Sequence, residues 1–144
     1  MTATASPATH DPAIIRRHLE ASTAAYAEAR RLGEIMREKG EAAALARRRA
    51  ADARADLERA VRTSDRETAQ ERLGAAETAL AAAEAAAARA RQDYEAHGVK
   101  TQALGKLADS IREHCTRHGI AFEGYDPRRA VGIAITMERA KDAA

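Results

Sequence analysis

Residues 65–97 read DRETAQERLGAAETALAAAEAAAARARQDYEAH. Within this stretch Ala69, Leu73, Ala76, Leu80, Ala83, Ala87, Ala90, Tyr94 and His97 fall at alternating steps of four and three without a break. That alternation is the repeat of a coiled-coil face. One half of the seam is Leu73, Leu80, Ala87 and Tyr94, and the other is Ala69, Ala76, Ala83, Ala90 and His97. Alanine makes a short knob, so a partner helix is expected near the lower end of the ~8–10 Å range of helix spacings.

The partner is legible upstream. Asp11-Pro12 opens a helix, with Asp as N-cap and Pro at the first helical position, where a missing N–H costs nothing. From there to about Arg62, residues Ile15, Ala25, Ala29, Leu32, Met36, Ala43, Ala46, Ala50, Ala53, Leu57 and Ala60 keep near-heptad spacing. Ile14, Leu19, Tyr26, Ile35, Leu45 and Val61 broaden the stripe, which predicts two neighbours at the N-terminal end of this helix. Fifty residues of helix would span ~75 Å. Gly33 and Gly40 each weaken such a helix by ~1 kcal/mol relative to Ala, and Glu38-Lys39-Gly40-Glu41 is the expected bend or break. The two glycines lie seven apart on one face, a spacing that permits close helix approach, although simple tolerance is the favoured reading.

Thr63-Ser64-Asp65 reads as the turn, with Ser64 or Asp65 capping the second helix. A turn so short makes the two helices antiparallel neighbours. Pairing about it brings Leu57 to Ala69, Ala50 to Ala76, Ala46 to Leu80 and Ala83, and Met36 and Leu32 to Ala90 and Tyr94. Alanine then meets alanine in the middle, with larger residues at both ends.

His97-Gly98-Val99 reads as the end of the second helix, with Gly at the left-handed position beyond the last turn. Thr101 would cap a third helix carrying Leu104, Leu107, Ala108, Ile111 and Cys115, stopped by the same device at His118-Gly119-Ile120. This helix is expected to pack beside the open end of the hairpin. A loop with Phe122 and Tyr125 follows, and Asp126-Pro127 argues for a last helix over about 127–141. The rival over 130–138 is a strand, because Val131, Ile133, Ile135 and Met137 alternate with smaller residues. The Asp-Pro cap and the MERAKDAA continuation favour helix. The expected fold is therefore all-α: a flexible arm (1–10), a long antiparallel alanine-rich coiled-coil hairpin (11–97), and a C-terminal region (98–144) of one or two shorter helices.

Composition agrees with that class. Alanine supplies 39 of the 144 residues, and there is one Phe and no Trp. Burying a Leu or Ile yields ~1.5–3 kcal/mol and a methyl much less, so the fold must lean on helix propensity, in which Ala and Arg rank high. The net charge is +2, but residues 41–66 carry seven Arg against five acids while 67–97 carry three Arg against six. Opposite signs on adjoining helices favour their pairing without an external polyanion. Arg outnumbers Lys 20 to four, which together with the alanine load points to a GC-rich bacterial or phage genome. The single cysteine excludes an internal disulfide framework. The N-terminus lacks the basic and apolar regions of a secretory signal, and no apolar run reaches the ~18 residues of a membrane span. The expected location is the cytoplasm, or a virion if the chain is phage-encoded.

No phosphate loop, nucleophile elbow or zinc-finger spacing appears. His114 and His118 lie one turn apart and could share a metal with help from elsewhere. The simpler reading makes Cys115 core and the histidines partners of the helix C-terminus. Asp52/Asp56 and Glu67/Glu71 sit on exposed faces without the desolvation a catalytic pair needs. No catalytic, cofactor or metal residues are therefore assigned. Arg47, Arg48 and Arg49, near the hairpin tip, could grip phosphates. Intervening acids and the lack of interleaved aromatics favour instead a solvated face, with some arginines bridging to Glu77 and Glu84. Arg128 and Arg129 form a second patch in the first turn of the last predicted helix, where their charge opposes the helix dipole.

The reading that follows is a non-enzymatic structural protein, a subunit of a larger homomeric assembly such as a phage capsid, connector or tail. Its expected protein contacts are Tyr26, Leu32, Phe122, Tyr125, Ile133 and Ile135. The alternative is an oligomeric nucleic-acid-binding packaging or regulatory factor, contacting its ligand through Arg47, Arg48, Arg49, Arg128 and Arg129.

Overall fold

The computed structural model describes residues 11–121. The arm 1–10, the predicted last helix or strand, and Phe122, Tyr125, Arg128, Arg129, Ile133 and Ile135 lie outside the described residues. Two helices account for nearly all of the rest: α1, Pro12–Arg59, and α2, Thr63–His118. They pack against each other as an all-α helical hairpin, with no strand among the described residues.

Helix α1 begins where the sequence places it. The Asp11 carboxylate accepts the Ala13 N–H at 2.9 Å, and its carbonyl accepts the Ile15 N–H at 3.2 Å, so Asp11 is the N-cap. The expected bend or break at residues 38–41 does not interrupt the helix: α1 runs unbroken through Gly33 and Gly40. Leu32, Met36, Lys39, Ala43 and Ala46 continue the step of four and three across it, all buried or half-buried. Two glycines at ~1 kcal/mol each do not outweigh a seam that stays in phase on both sides of them.

The turn falls three residues earlier than the sequence suggests. Helix α1 ends at Arg59 rather than near Arg62, Ala60 to Arg62 form the connection, and Val61 at its tip is 92% exposed. The Arg66 N–H already bonds to the Arg62 carbonyl at 3.0 Å, so Arg62 rather than Ser64 or Asp65 occupies the cap position. Asp65 sits instead in the first turn, where its charge complements the unpaired N–H groups. The Ser64 carbonyl accepts the Thr68 hydroxyl at 3.1 Å.

The largest departure is the length of α2. Gly98 does not end it; the helix continues to His118, so the expected third helix is the last part of the second. The seam explains this, because His97, Thr101, Leu104, Ala108, Ile111 and Cys115 prolong the step of four and three in phase, each buried or half-buried. Thr101 is accordingly no cap. It is buried, and its hydroxyl donates across to the Ala25 carbonyl at 3.4 Å. The stop at His118-Gly119-Ile120 is as expected. Gly119 has φ +63°, the Ile120 N–H reaches the Cys115 carbonyl at 2.9 Å, and the Gly119 N–H reaches Thr116 at 3.4 Å, the paired bonds of a Schellman cap.

The described chain divides into two compact units. One holds residues up to 27 together with those from 99 onward, and the other holds Glu28–Gly98. The first is centred on Ile15, Ser22, Ala25, Thr101, Ala108 and Cys115, all buried. In it Tyr26 lies across Gly105, where an added Cβ would come within 2.6 Å of the tyrosine oxygen. The second is centred on Ala43, Ala50, Ala69 and Ala90. There Tyr94 lies across Gly33, with its ring 3.3 Å from where a Cβ would be. The antiparallel direction of the second unit is fixed by two ion pairs: Arg47 meets Glu84, and seven residues further along α1, Arg54 meets Glu77, seven residues earlier in α2.

Candidate interaction surfaces

The side chains that could do chemistry are dispersed. Among the described residues, no three His, Cys, Asp or Glu side chains gather to hold a metal ion. The His114 and His118 rings stand 4.5 Å apart, tilted by 47°, as one turn of helix dictates. Cys115 between them points into the seam, is fully buried, and has its thiol pKa pushed up by desolvation. A thiol held protonated is a core side chain rather than a nucleophile. Beside it runs a mostly apolar groove of about 240 Å³ lined by Ile15, Ser110, Ile111, His114 and Cys115. Asp52, Asp56, Glu67 and Glu71 are all exposed, and Asp56 stands 3.9 Å from Arg59.

The arginines near the turn divide into two kinds. Arg47 donates to Glu84 at 2.8 Å and Arg54 to Glu77 at 3.1 Å, the bridges that the charge pattern suggests. Arg48 and Arg49 are exposed. Farther along α1, Glu28 is clasped by Arg31 through two bonds of 2.8 and 2.6 Å. The Arg31 hydrogen bond, followed by the charges of Arg31 and His97, holds its carboxyl below the usual range.

Of the expected contact residues, Tyr26 is 58% exposed although its hydroxyl end rests over Gly105, while Leu32 is half-buried in the seam. The large side chains left most open besides Tyr26 and the turn's Val61 are Ile14, Leu45, Val99 and Leu107. Ile14 and Tyr26, on the N-terminal stripe of α1 for which a second neighbour is expected, are thus 42% and 58% exposed.

One surface escaped the sequence reading. The rungs Arg54–Glu77 and Arg47–Glu84 lie on one flank of the seam, each set seven residues from the next. One more heptad along, the facing positions are Gly40 on α1 and Arg91 on α2. Nothing lies within 4 Å of a Cβ built at Gly40, and no acidic group among the described residues pairs with Arg91. The result is a groove of about 450 Å³ with Gly40, Arg91, Arg47, Glu84 and Ala88 among its walls. The signal was available in the heptad register, since Gly40 occupies the place that Arg47 and Arg54 fill in the two following repeats. No described helix is long and apolar enough to cross a membrane. No family model, no curated protein and no solved structure matches the chain.

Proposed function

We propose that this chain is a non-enzymatic structural and interaction protein, a subunit of a larger homomeric assembly, and that its setting is a phage particle. One observation carries the reading: the fully buried side chains are mostly small, and several large apolar ones are exposed. Among the described residues, Cys115 is the largest side chain that is fully buried, and the rest of the buried apolar core is alanine apart from Ile15, whereas Ile14, Tyr26, Leu45 and Leu107 are all more than 40% exposed. An isolated exposed apolar residue is ordinary. A hairpin whose buried positions are mostly alanine, whose larger seam residues are largely half-buried and which leaves several large apolar groups exposed has surface available for neighbours. The mechanism is geometric: the paired helices hold contact groups at set spacings, and the neighbours contribute the burial that the alanine seam does not. The arginine-over-lysine and alanine bias, which fits a GC-rich bacterial or phage genome, is what supports the phage setting.

Light scattering on the purified chain at low and high salt tests this. A defined oligomer is the expected result, and a monomer at every concentration overturns it. A salt-sensitive complex with duplex DNA, lost when Arg47, Arg48 and Arg49 are replaced, would instead establish the nucleic-acid reading.

A further inference from the structure

We infer that the groove at Gly40 and Arg91 is a self-association surface, and that its occupant is the same stretch of α2 from a second copy of this chain. The inference rests on the assembly reading above and names the contact. Along this flank, α2 presents Glu77, Glu84 and Arg91 at successive heptads, and α1 answers the first two with Arg54 and Arg47. At the third, the sign on α2 reverses and α1 offers only a hydrogen. Arg91 is left without a carboxylate among the described residues, beside a cavity of about 450 Å³.

The missing carboxylate exists one heptad away. Glu84 uses its Oε1 to accept from Arg47 Nε at 2.8 Å, and a carboxylate has lone pairs for a second bidentate or bridging donor. Two copies of α2 crossing antiparallel about Ala87 and Ala88 would place Arg91 of each beside Glu84 of the other. This is the reciprocal arrangement a two-fold contact requires. Ala87 and Ala88 both line the groove, and their methyl side chains let two helices come close at the axis. Each Glu84 would then be shared between Arg47 of its own chain and Arg91 of the partner copy.

Sedimentation equilibrium of the full chain, across concentration and at low and high salt, tests this with two variants. Arg91→Glu sets like charges against each other and should weaken self-association by roughly tenfold or more. Gly40→Glu has open space to enter and supplies Arg91 with an internal partner, so it should weaken self-association while raising thermal stability. Circular dichroism confirms that both variants remain helical. If the oligomer is equally strong in all three proteins, this contact is overturned and the assembly reading stands. If the native chain is monomeric throughout, both are overturned, and the groove belongs to a different occupant.

Discussion

Three glycines of the hairpin share a helical backbone but differ in their surroundings, and substitution should separate them. At Gly40 a new Cβ meets nothing within 4 Å, so Gly40→Ala gains the helix-propensity difference alone, about 1 kcal/mol. At Gly33 the new methyl would stand 3.3 Å from the Tyr94 ring, and the same gain is offset by whatever displacement Tyr94 must make. At Gly105 it would stand 2.6 Å from the Tyr26 oxygen, so that side chain has to leave its place. Urea denaturation should rank the three alanine variants in that order, Gly40 most stable, and Gly105→Ala should alter the tyrosine fluorescence. Equal gains at all three would refute the tyrosine contacts. Cys115 offers a second check at this scale. Fully buried and held protonated by desolvation, it should resist a thiol reagent in the native chain and react promptly in denaturant.

At the scale of elements, two glycines followed by a branched apolar residue, Gly98 within α2 and Gly119 just beyond its end, behave oppositely. Gly119 has φ +63°, where an L side chain is strained, so Gly119→Ala should cost about 1 kcal/mol. Gly98 is helical with open space around its missing Cβ, so Gly98→Ala should gain about 1 kcal/mol. Thermal melts of the pair decide the matter: destabilisation at both positions would mean that α2 stops at Gly98. The His-Gly-apolar signature is the same at both places, which is why local reading treats them alike. What distinguishes them is the surrounding structure. After Gly98 the seam goes on through Thr101, Leu104, Ala108, Ile111 and Cys115, each buried or half-buried against α1. At Gly119 the left-handed backbone instead closes the helix with capping bonds. The pairing of the two helices and the start at Asp11-Pro12 were legible because each rests on a repeated or reciprocal signal. The turn was misplaced because Thr63, Ser64 and Asp65 are good caps and equally good first-turn residues, and only the register between helices chooses. The Gly40–Arg91 groove was hidden for a related reason, since a glycine in one helix and an arginine in the other carry meaning only once the rungs are known.

For the molecule as a whole, stability comes from many small contacts, so it should be unusually sensitive to added volume. Ala43 and Ala50 are each 3% exposed, and they belong to a stretch where α1 offers Ala43, Ala46, Ala50 and Ala53 in succession. A leucine in an ordinary coiled-coil seam is favourable. Here it would add three carbons where the backbones are close enough for methyl knobs, and overpacking of that kind costs about 1–3 kcal/mol. Ala50→Leu is therefore expected to destabilise the hairpin despite raising its hydrophobicity, as measured by a lower urea midpoint at unchanged slope. Leu57→Ala, at a half-buried seam position near the turn, should also destabilise, through lost burial rather than strain. The cross-helix ion pairs set the register but contribute little. Arg47 and Glu84 retain 63% and 45% side-chain exposure, so a double-mutant cycle on them should return about 0.2–1 kcal/mol, falling with salt. If Ala50→Leu instead raised the urea midpoint, the helices would have room to spare along the alanine stretch. Self-association could then be driven by side chains entering that seam, and a flank contact at Arg91 would lose its rationale.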